Sequence, residues 1–221
     1  MQNLRQQFIA FAVDAGVLQF GQFTTKAGRS SPYFFNAGLF HDGATLGRLG
    51  EFYAQTLIDS GIEFDMLFGP AYKGITLAAS TSVALAARER NVSFAYNRKE
   101  AKSHGEGGTL VGAKLAGRVV IIDDVISAGT SVSESVAMIR AAGATPCAVL
   151  IALDRMERSG PDHALSVQSA VQDISARYNM PIVSIANLDD LLSYVSNTSA
   201  QTDKAANQGA ISAYRARYGA T

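Results

Sequence analysis

The chain has 221 residues, of which 48% are hydrophobic and 17% are charged, and its 19 basic side chains balance 19 acidic ones. A chain of this length can bury roughly 70% of its unfolded surface around one core. High hydrophobicity with no net charge excludes disorder as the main state, and the lack of a global positive field argues against a protein that coats duplex DNA. We therefore expect one domain with an appendage.

Cysteine content and targeting signals favour a reducing, cytoplasmic setting. The one cysteine, Cys147, cannot form an intrachain disulfide and lies in the apolar run PCAVLIAL, where a thiol usually packs as a small core residue. No Cys or His cluster has metal-site spacing, and no apolar run approaches the roughly 20 residues that span a bilayer. Gln6, Gln7 and Asp14 interrupt the N-terminal segment where a signal peptide would be apolar. We expect a cytoplasmic protein with no membrane partner.

The first 40 residues predict a helix followed by two short strands. Leu4, Phe8 and Phe11 recur at helical spacing. The following stretch, VLQFGQFTTKAGRSSPYFFNAG, alternates apolar and polar residues, turns at GRSSP and resumes with aromatic residues, which is typical of a hairpin. Residues 1–40 are therefore expected to form a small N-terminal unit.

The middle of the chain predicts an α/β core. A helix is expected after His41, and from about residue 64 short apolar runs rich in β-branched residues, such as RVVIID and PIVSIA, alternate with helical segments. This alternation predicts a mainly parallel sheet covered by helices on both faces, and right-handed crossovers would make it doubly wound. We assign residues 41–195 to this core and residues 196–221 to a C-terminal helical tail.

Residues 97–117, NRKEAKSHGEGGTLVGAKLAG, fit neither a strand nor a helix. The segment is rich in glycine and charge and lies between two predicted strands. So long a connection in a compact domain is usually functional or disordered. We predict a mobile loop that can close over a ligand; the alternative is a solvated charged loop.

The most informative stretch is VVIIDDVISAGTS, at residues 119–131. It predicts a buried strand that ends in Asp123 and Asp124, a loop of small residues, and a helix that begins near residues 131–133. In an open parallel sheet, ligands bind beyond the carboxyl ends of the strands, and loop N–H groups with a helix N-terminus bind anions. Two acids beside a phosphate site are consistent with a ribose phosphate as ligand. Its hydroxyls, or a Mg²⁺ ion bound to it, would contact the carboxylates while its phosphate binds the loop. The alternative is a solvated acidic strand end before a capped helix.

This stretch resembles the signature with which type I phosphoribosyltransferases bind 5-phosphoribosyl pyrophosphate (PRPP). Purine and pyrimidine enzymes share that signature. Four further stretches resemble the orotate phosphoribosyltransferases in the expected order: FTTKAGRSSPYFFNAGLF, FGPAYKGI, YNRKEAKSHGEGG and LDR. The resemblance spans roughly residues 4–195. One departure is Ser127, where the family pattern has threonine; the hydroxyl is kept and a methyl group is lost.

The resemblance implies the type I phosphoribosyltransferase fold, with residues 1–40 as a hood over the base site. It also implies Mg²⁺-dependent transfer of the 5-phosphoribosyl group from PRPP to orotate, giving orotidine 5′-monophosphate and pyrophosphate, in pyrimidine biosynthesis. A ring nitrogen would displace pyrophosphate through an oxocarbenium-like transition state, so the protein mainly orients the reactants and neutralises charge. Mg²⁺ would be held mainly by PRPP and water, with Asp123 and Asp124 nearby and no direct protein ligand.

For PRPP and pyrophosphate, the resemblance implies a set of basic, small and hydroxyl-bearing residues. They are Lys26, Tyr72, Lys73, Arg98, Lys99, Lys102, His104, Asp123, Asp124, Val125, Ile126, Ser127, Ala128, Gly129, Thr130 and Ser131. Catalytic roles would fall to Lys26, Lys102, Asp123 and Asp124. The loop cations would close over the departing pyrophosphate and exclude water.

For orotate, the resemblance implies Phe34, Phe35, Ser127 and Arg155. An arginine can bind the orotate carboxylate bidentately, which distinguishes this base from a neutral purine. Neighbouring strand residues face opposite sides, so only one phenyl ring is expected to stack on orotate. The alternatives are two core aromatic residues and an ion pair between Arg155 and Asp154.

Two other functions stay open at this point. One is an enzyme of the same fold that acts on a purine base, against which Lys26, the Phe34-Phe35 pair and Arg155 argue. The other is a PRPP-sensing regulator that binds nucleic acid, which would need a basic face or an added domain; we expect no nucleic-acid partner. The resemblance further implies a homodimer, in which Lys99 and its neighbours complete the site of the other subunit.

Overall fold

The computed structural model of the protein describes residues 2–25, 28–102, 108–161, 163–197 and 203–220. Its helices are α1 (Gln2–Asp14), α2 (Gly43–Asp59), α3 (Lys73–Ala86), α4 (Thr130–Ala141), α5 (Ala170–Tyr178), α6 (Leu188–Asn197) and α7 (Asp203–Tyr218). Its strands are β1 (Leu18–Thr24), β2 (Ser30–Phe35), β3 (Met66–Gly69), β4 (Ser93–Lys102), β5 (Gly108–Gly112), β6 (Arg118–Asp123), β7 (Thr145–Asp154) and β8 (Ile182–Asn187).

Strands β3 to β8 form one sheet in the order β5-β4-β3-β6-β7-β8. Neighbouring strands are parallel except β4 and β5, which run antiparallel at one edge. Because β3 and β6 lie in the middle and are covered on both faces, their sequences are nearly continuous apolar runs. The predicted α/β class, with a doubly wound and mainly parallel sheet, is confirmed.

The side chains of β6 alternate between two layers of helices. Val120 and Ile122 pack in a cluster with residues of α1, α2, α3, α6 and α7. Val119 and Ile121 face the other side and pack with residues of α4 and α5. All four side chains are fully buried. With both faces filled, polar groups that need access to a ligand are confined to the ends of the strands.

The predicted N-terminal hairpin is formed by β1 and β2, an antiparallel pair separate from the main sheet. Its turn comes earlier than the stretch GRSSP suggested. The Thr25 N–H donates to the Arg29 carbonyl at 2.9 Å, and Gly28 has a φ of 77°. Glycine accepts this left-handed conformation without steric cost. Because the turn is complete by Arg29, Ser30 and the residues after it are part of β2.

The prediction of one continuous loop over residues 97–117 is wrong for residues 97–102 and 108–112, which belong to strands. Strand β4 continues to Lys102 and β5 begins at Gly108, with Asn97 opposite Leu110 and Lys102 opposite Gly108. Charged side chains are tolerated here because the hairpin lies at the edge of the sheet, where side chains can face solvent. Residues 103–107 lie outside the described part of the chain.

The C-terminal helix α7 packs against the main core. Ile211, Tyr214 and Tyr218 are each at most 5% exposed and belong to the same cluster as the β6 side chains. Helix α5 starts at Ala170, after a capping box formed by Ser169 and Gln172. No helix in the described residues is long and apolar enough to cross a membrane. The division into hood, core and tail stays a prediction.

Candidate active site

A cleft of about 1220 Å³ lies at the carboxyl ends of the central strands. Three regions of the chain form most of its wall: the hairpin, the turns after β3 and β6, and the segments that follow β7. The lining residues include Phe34, Phe35, Tyr72, Lys73, the whole run 123–132, and Arg155. The fold thus brings the predicted orotate-site residues and part of the predicted phosphate site, Tyr72, Lys73 and residues 123–131, into one cavity. This cavity lies at the sheet edge where parallel α/β folds bind ligands.

Two carboxylates form the floor of this cleft. Asp123 ends β6, and its carboxylate accepts hydrogen bonds from the Ser131 hydroxyl at 3.0 Å and from the Asp124 N–H at 2.9 Å. The Tyr53 hydroxyl donates to the Asp123 carbonyl at 2.8 Å and so fixes the strand end from below. Burial, followed by the charge of Asp124, raises the pKa of Asp123 well above its ordinary value. A buried acid of this kind is suited to accept hydrogen bonds from ligand hydroxyls.

Lys73 is the first residue of α3 and forms an ion pair with Asp124, with Nζ 2.6 Å from the carboxylate. Asp124 is nearly buried, whereas half of the Lys73 side chain is exposed. The turn before the helix is held by the Ala71 N–H, which donates to the Asn97 side chain at 2.8 Å. Lys73 and Asp124 therefore neutralise each other at the mouth of the cleft.

Two helices that begin in the cleft have no side-chain cap. Helix α4 starts after Gly129, which has a φ of 72°, and helix α3 starts after Tyr72; neither residue caps its helix with a side chain. By contrast, α2 and α5 are capped by Asp42 and Ser169. Uncapped N–H groups at a helix N-terminus are an anion-binding site. The cleft therefore offers two such sites, one beside the loop 125–129 and one at Lys73.

Of the basic residues predicted to bind phosphate on β4 and around it, the structure places only some near the cleft. The Lys99 ammonium lies 4.9 Å from the centre of the Tyr72 ring, at the edge of the cleft. Arg98 does not line the cleft, and its Nη1 is buried without a hydrogen-bond partner among the residues that the structure describes. Lys26 and His104 lie outside the described residues, and so does the side chain of Lys102.

The hairpin presents its two neighbouring phenylalanines differently. Phe35 is buried and packs against Phe8, with ring centroids 6.3 Å apart. Phe34 is 39% exposed and stacks on Phe23 at 5.4 Å between centroids. The alternation along β2 therefore leaves Phe34 available on the surface of the hairpin while Phe35 joins the core.

Arg155 follows directly after β7 and is paired with Glu157, not with Asp154. Its Nε donates to the Glu157 carboxylate at 2.7 Å, and its guanidinium lies 5.0 Å from the centre of the Tyr33 ring. The Asp154 carboxylate instead accepts from the Met156 N–H at 2.8 Å. Glu157 and Tyr33 were not singled out from the sequence, because their role depends on contacts between distant parts of the chain.

The described residues contain no group of three or more His, Cys, Asp or Glu side chains that could hold a metal ion. The cleft does contain hard oxygen donors, in the carboxylates of Asp123 and Asp124. Mg²⁺ keeps several waters and binds through one or two carboxylates together with substrate phosphates. The donor set therefore fits a hydrated Mg²⁺ that arrives with a phosphorylated ligand.

Comparison with known proteins shows which family the chain resembles. The family model for the phosphoribosyl transferase domain matches residues 39–180. The chain is 73% identical over 221 residues to the orotate phosphoribosyltransferase of Herminiimonas arsenicoxydans, covering 100% of both chains. It is 74% identical over 219 residues to that of Janthinobacterium sp. (strain Marseille), covering 99% of both.

A solved structure shows the same likeness in three dimensions. The crystal structure of orotate phosphoribosyltransferase from Francisella tularensis superposes with a TM-score of 0.85 at 39% identity. The match covers 97% of this chain and 100% of that one. The likeness therefore extends over the hairpin, the sheet and the C-terminal segment together.

Proposed function

The chain belongs to the orotate phosphoribosyltransferase family, and we propose that it transfers the 5-phosphoribosyl group from PRPP to orotate, releasing orotidine 5′-monophosphate and pyrophosphate in pyrimidine biosynthesis. One observation carries this proposal. A single cleft contains two uncapped helix N-termini, a pair of carboxylates and the partly buried Arg155. These are the groups that a phosphorylated ribose and an anionic base require.

The 5-phosphate of PRPP binds in the loop Val125, Ile126, Ser127, Ala128, Gly129, Thr130 and Ser131. Backbone N–H groups of this loop and of the first turn of α4 donate to the phosphate oxygens. The hydroxyls of Ser127 and Thr130 add donors. The ribose hydroxyls donate to Asp123 and Asp124, whose burial strengthens these bonds.

Pyrophosphate binds at the N-terminus of α3, through the backbone at Tyr72 and the Lys73 ammonium. Its negative charge attracts Lys73 away from Asp124. The exchange frees Asp124 to accept from a ribose hydroxyl at the moment the substrate binds. Lys99, beside Tyr72, would add positive charge at the edge of the cleft. The roles of Arg98, which does not line the cleft, and of Lys26, Lys102 and His104 stay predictions from the sequence.

Orotate binds between the hairpin and the end of β7. Phe34 stacks on the pyrimidine ring, and the backbone at Phe35 and the Ser127 hydroxyl contact its polar edge. Arg155 binds the carboxylate. With both reactants held in this geometry, the pyrimidine nitrogen displaces pyrophosphate at C1 of the ribose, and no covalent enzyme intermediate is needed.

Asp123 and Asp124 would lie beside a Mg²⁺ ion that is held mainly by PRPP and water. When bound, it neutralises charge on the leaving pyrophosphate. The enzyme acts as a homodimer in which Lys99 and neighbouring residues complete the partner's site. A cytoplasmic location stays a prediction.

Steady-state assays with PRPP, Mg²⁺ and one base at a time test the function. The protein should consume orotate and should not consume hypoxanthine or adenine. Arg155→Ala should raise the orotate KM by roughly 100-fold, because a charge-assisted bidentate pair is lost, with little change in the PRPP KM. Arg48→Ala, on the exposed face of α2, is the matched control.

Two results would contradict the proposal. Turnover of a purine alone would exclude orotate as the substrate. A collapse of PRPP binding in the Arg155 variant would show that this arginine does not read the base.

A further inference from the structure

Four side chains converge on Glu157, two residues beyond Arg155. Its Oε1 accepts from Arg155 Nε at 2.7 Å and lies 2.6 Å from Arg155 Nη2. The Tyr214 hydroxyl of helix α7 donates to the same oxygen at 3.0 Å, and the Tyr33 hydroxyl of β2 lies 3.5 Å away. Arg29 Nη1 approaches Oε2 at 3.8 Å. Hydrogen bonds in this cluster are strong because the Glu157 side chain is only 17% exposed.

Glu157 occupies one edge of the Arg155 guanidinium. An arginine has five N–H donors in a fixed plane, so contacts at Nε and Nη2 fix the orientation of that plane. The Nη1 end, opposite that edge, is the end that we expect to meet a substrate carboxylate. Without Glu157, the long Arg155 side chain would have to be ordered by the substrate itself, at a cost in binding.

Residues 218–220, at the end of helix α7, hold the backbone around Glu157 in place. The Ala220 N–H donates to the Met156 carbonyl at 2.8 Å, and the Arg158 N–H donates to the Tyr218 carbonyl at 2.8 Å. Glu157 forms a β-bridge with Gly219 between these two bonds. The segment that follows Arg155 is therefore fastened to the end of helix α7 by its backbone and by Tyr214.

We propose that Glu157 and Tyr214 are positioning residues for Arg155, through which the C-terminal helix α7 sets the affinity of the site for orotate. The inference rests on the proposed function, since it takes Arg155 as the residue that binds the orotate carboxylate. The charge of Glu157 by itself repels an anionic base. Any favourable effect of Glu157 on orotate binding must therefore come from the orientation of Arg155. The proposal thus predicts that removal of this negative charge weakens orotate binding, although charge repulsion alone predicts the opposite.

Glu157→Gln removes a negative charge from the base site and nevertheless should raise the orotate KM, by about tenfold, because a neutral amide oxygen holds the guanidinium in place less firmly than a carboxylate does. Tyr214→Phe, which removes only a hydroxyl, should raise it less, by about threefold. The PRPP KM should stay unchanged in both. The controls are Glu51→Gln on the surface of α2 and Tyr178→Phe at the end of α5, which contact Arg48 and Arg140 instead.

A double-mutant cycle separates positioning from general stability. In an Arg155→Ala background, Glu157→Gln should no longer raise the orotate KM and should leave it unchanged or lower it, because only the repulsion between the Glu157 charge and the anionic base is then removed. If the two changes multiply, or if Glu157→Gln raises the orotate and PRPP KM values together, the proposal is overturned. An unchanged or lowered orotate KM in the single Glu157→Gln variant would overturn it as well.

The wild-type assay keeps this inference distinct from the proposed function. If the wild-type protein does not turn over orotate, the proposed function fails. If it does, and Glu157→Gln leaves the orotate KM where it was, only the positioning role fails. Should Glu157→Gln not fold, as judged by circular dichroism, Tyr214→Phe tests the same prediction alone.

Discussion

Asp123 is a residue whose charge lowers the stability of the protein but is suited to bind a ligand. Its carboxylate is 8% exposed and lies beside a second acid, and burial is the main cause of its raised pKa. Among the residues that the structure describes, no cation forms an ion pair with it, since Lys73 pairs with Asp124. A buried, poorly compensated charge destabilises the fold. Its retention is understandable if it accepts hydrogen bonds from the hydroxyls of a bound ribose.

Asp123→Asn should stabilise the protein without ligand while it lowers activity. Since the pKa of Asp123 is higher in the folded than in the unfolded state, the folded state binds the extra proton. Wild-type stability should therefore fall as the pH rises above the ordinary pKa of an aspartate towards the raised one. The asparagine variant removes this loss, and we expect a gain on the order of 1 kcal/mol at pH 8.

Urea denaturation of both proteins between pH 4 and pH 8 measures this effect. The variant should show a flatter dependence on pH, together with a fall in kcat/KM for PRPP of roughly 100-fold. Asparagine can keep both hydrogen bonds, because the Ser131 hydroxyl can reverse its direction. A variant that is less stable than the wild type at pH 8 would contradict the assigned pKa shift.

At the level of elements, the start of α4 shows why the phosphate loop needs a glycine. Gly129 has a φ of 72°, and a Cβ added there would collide with the Ile174 side chain of α5. Both the backbone conformation and the packing therefore exclude a side chain. The loop is pressed against the neighbouring helix, and its N–H groups stay exposed towards the cleft.

Gly129→Ala should weaken PRPP binding and destabilise the fold, while Gly143→Ala should only destabilise it slightly. Gly143 has a similar φ of 79° but has nothing within 4 Å of an added Cβ. The control therefore loses about 1 kcal/mol from backbone strain alone. Gly129→Ala should lose more, with a PRPP KM about tenfold higher. Equal PRPP KM values in the two variants would show that the loop does not bind the phosphate.

At the scale of the whole molecule, the C-terminal helix α7 packs in the same hydrophobic core as the central sheet. Ile211 is fully buried in the cluster that also contains Val120 and Ile122 of β6. Tyr214 lies one turn further along α7 and contacts Tyr33 of the hairpin at 6.2 Å between ring centroids. One helix thus joins the central sheet to the hairpin that covers the cleft.

Ile211→Ala should therefore lower the free energy of unfolding by about 2–4 kcal/mol, as expected for truncation in a packed core. Val167→Ala is the control, because Val167 is 88% exposed and should change stability by less than about 0.5 kcal/mol. Urea denaturation of the three proteins is the measurement. A loss below about 1 kcal/mol at Ile211 would mean that α7 is only loosely attached.

The α/β class, the strand that ends in Asp123 and Asp124 and the anion-binding loop after it were predictable from the sequence, because hydrophobic periodicity and small loop residues act over short distances. Charge and glycine content misled the prediction for residues 97–117, where edge strands pair through their backbones and so tolerate polar side chains.

Only the tertiary structure decided the partner of Arg155. The sequence offered neighbouring Asp154, but the guanidinium pairs with Glu157, which Tyr214 of the distant helix α7 also contacts. Local patterns encode which segments become strands, helices and phosphate loops. They do not encode which side chains meet across the fold, because those contacts depend on how separate elements pack around a shared core.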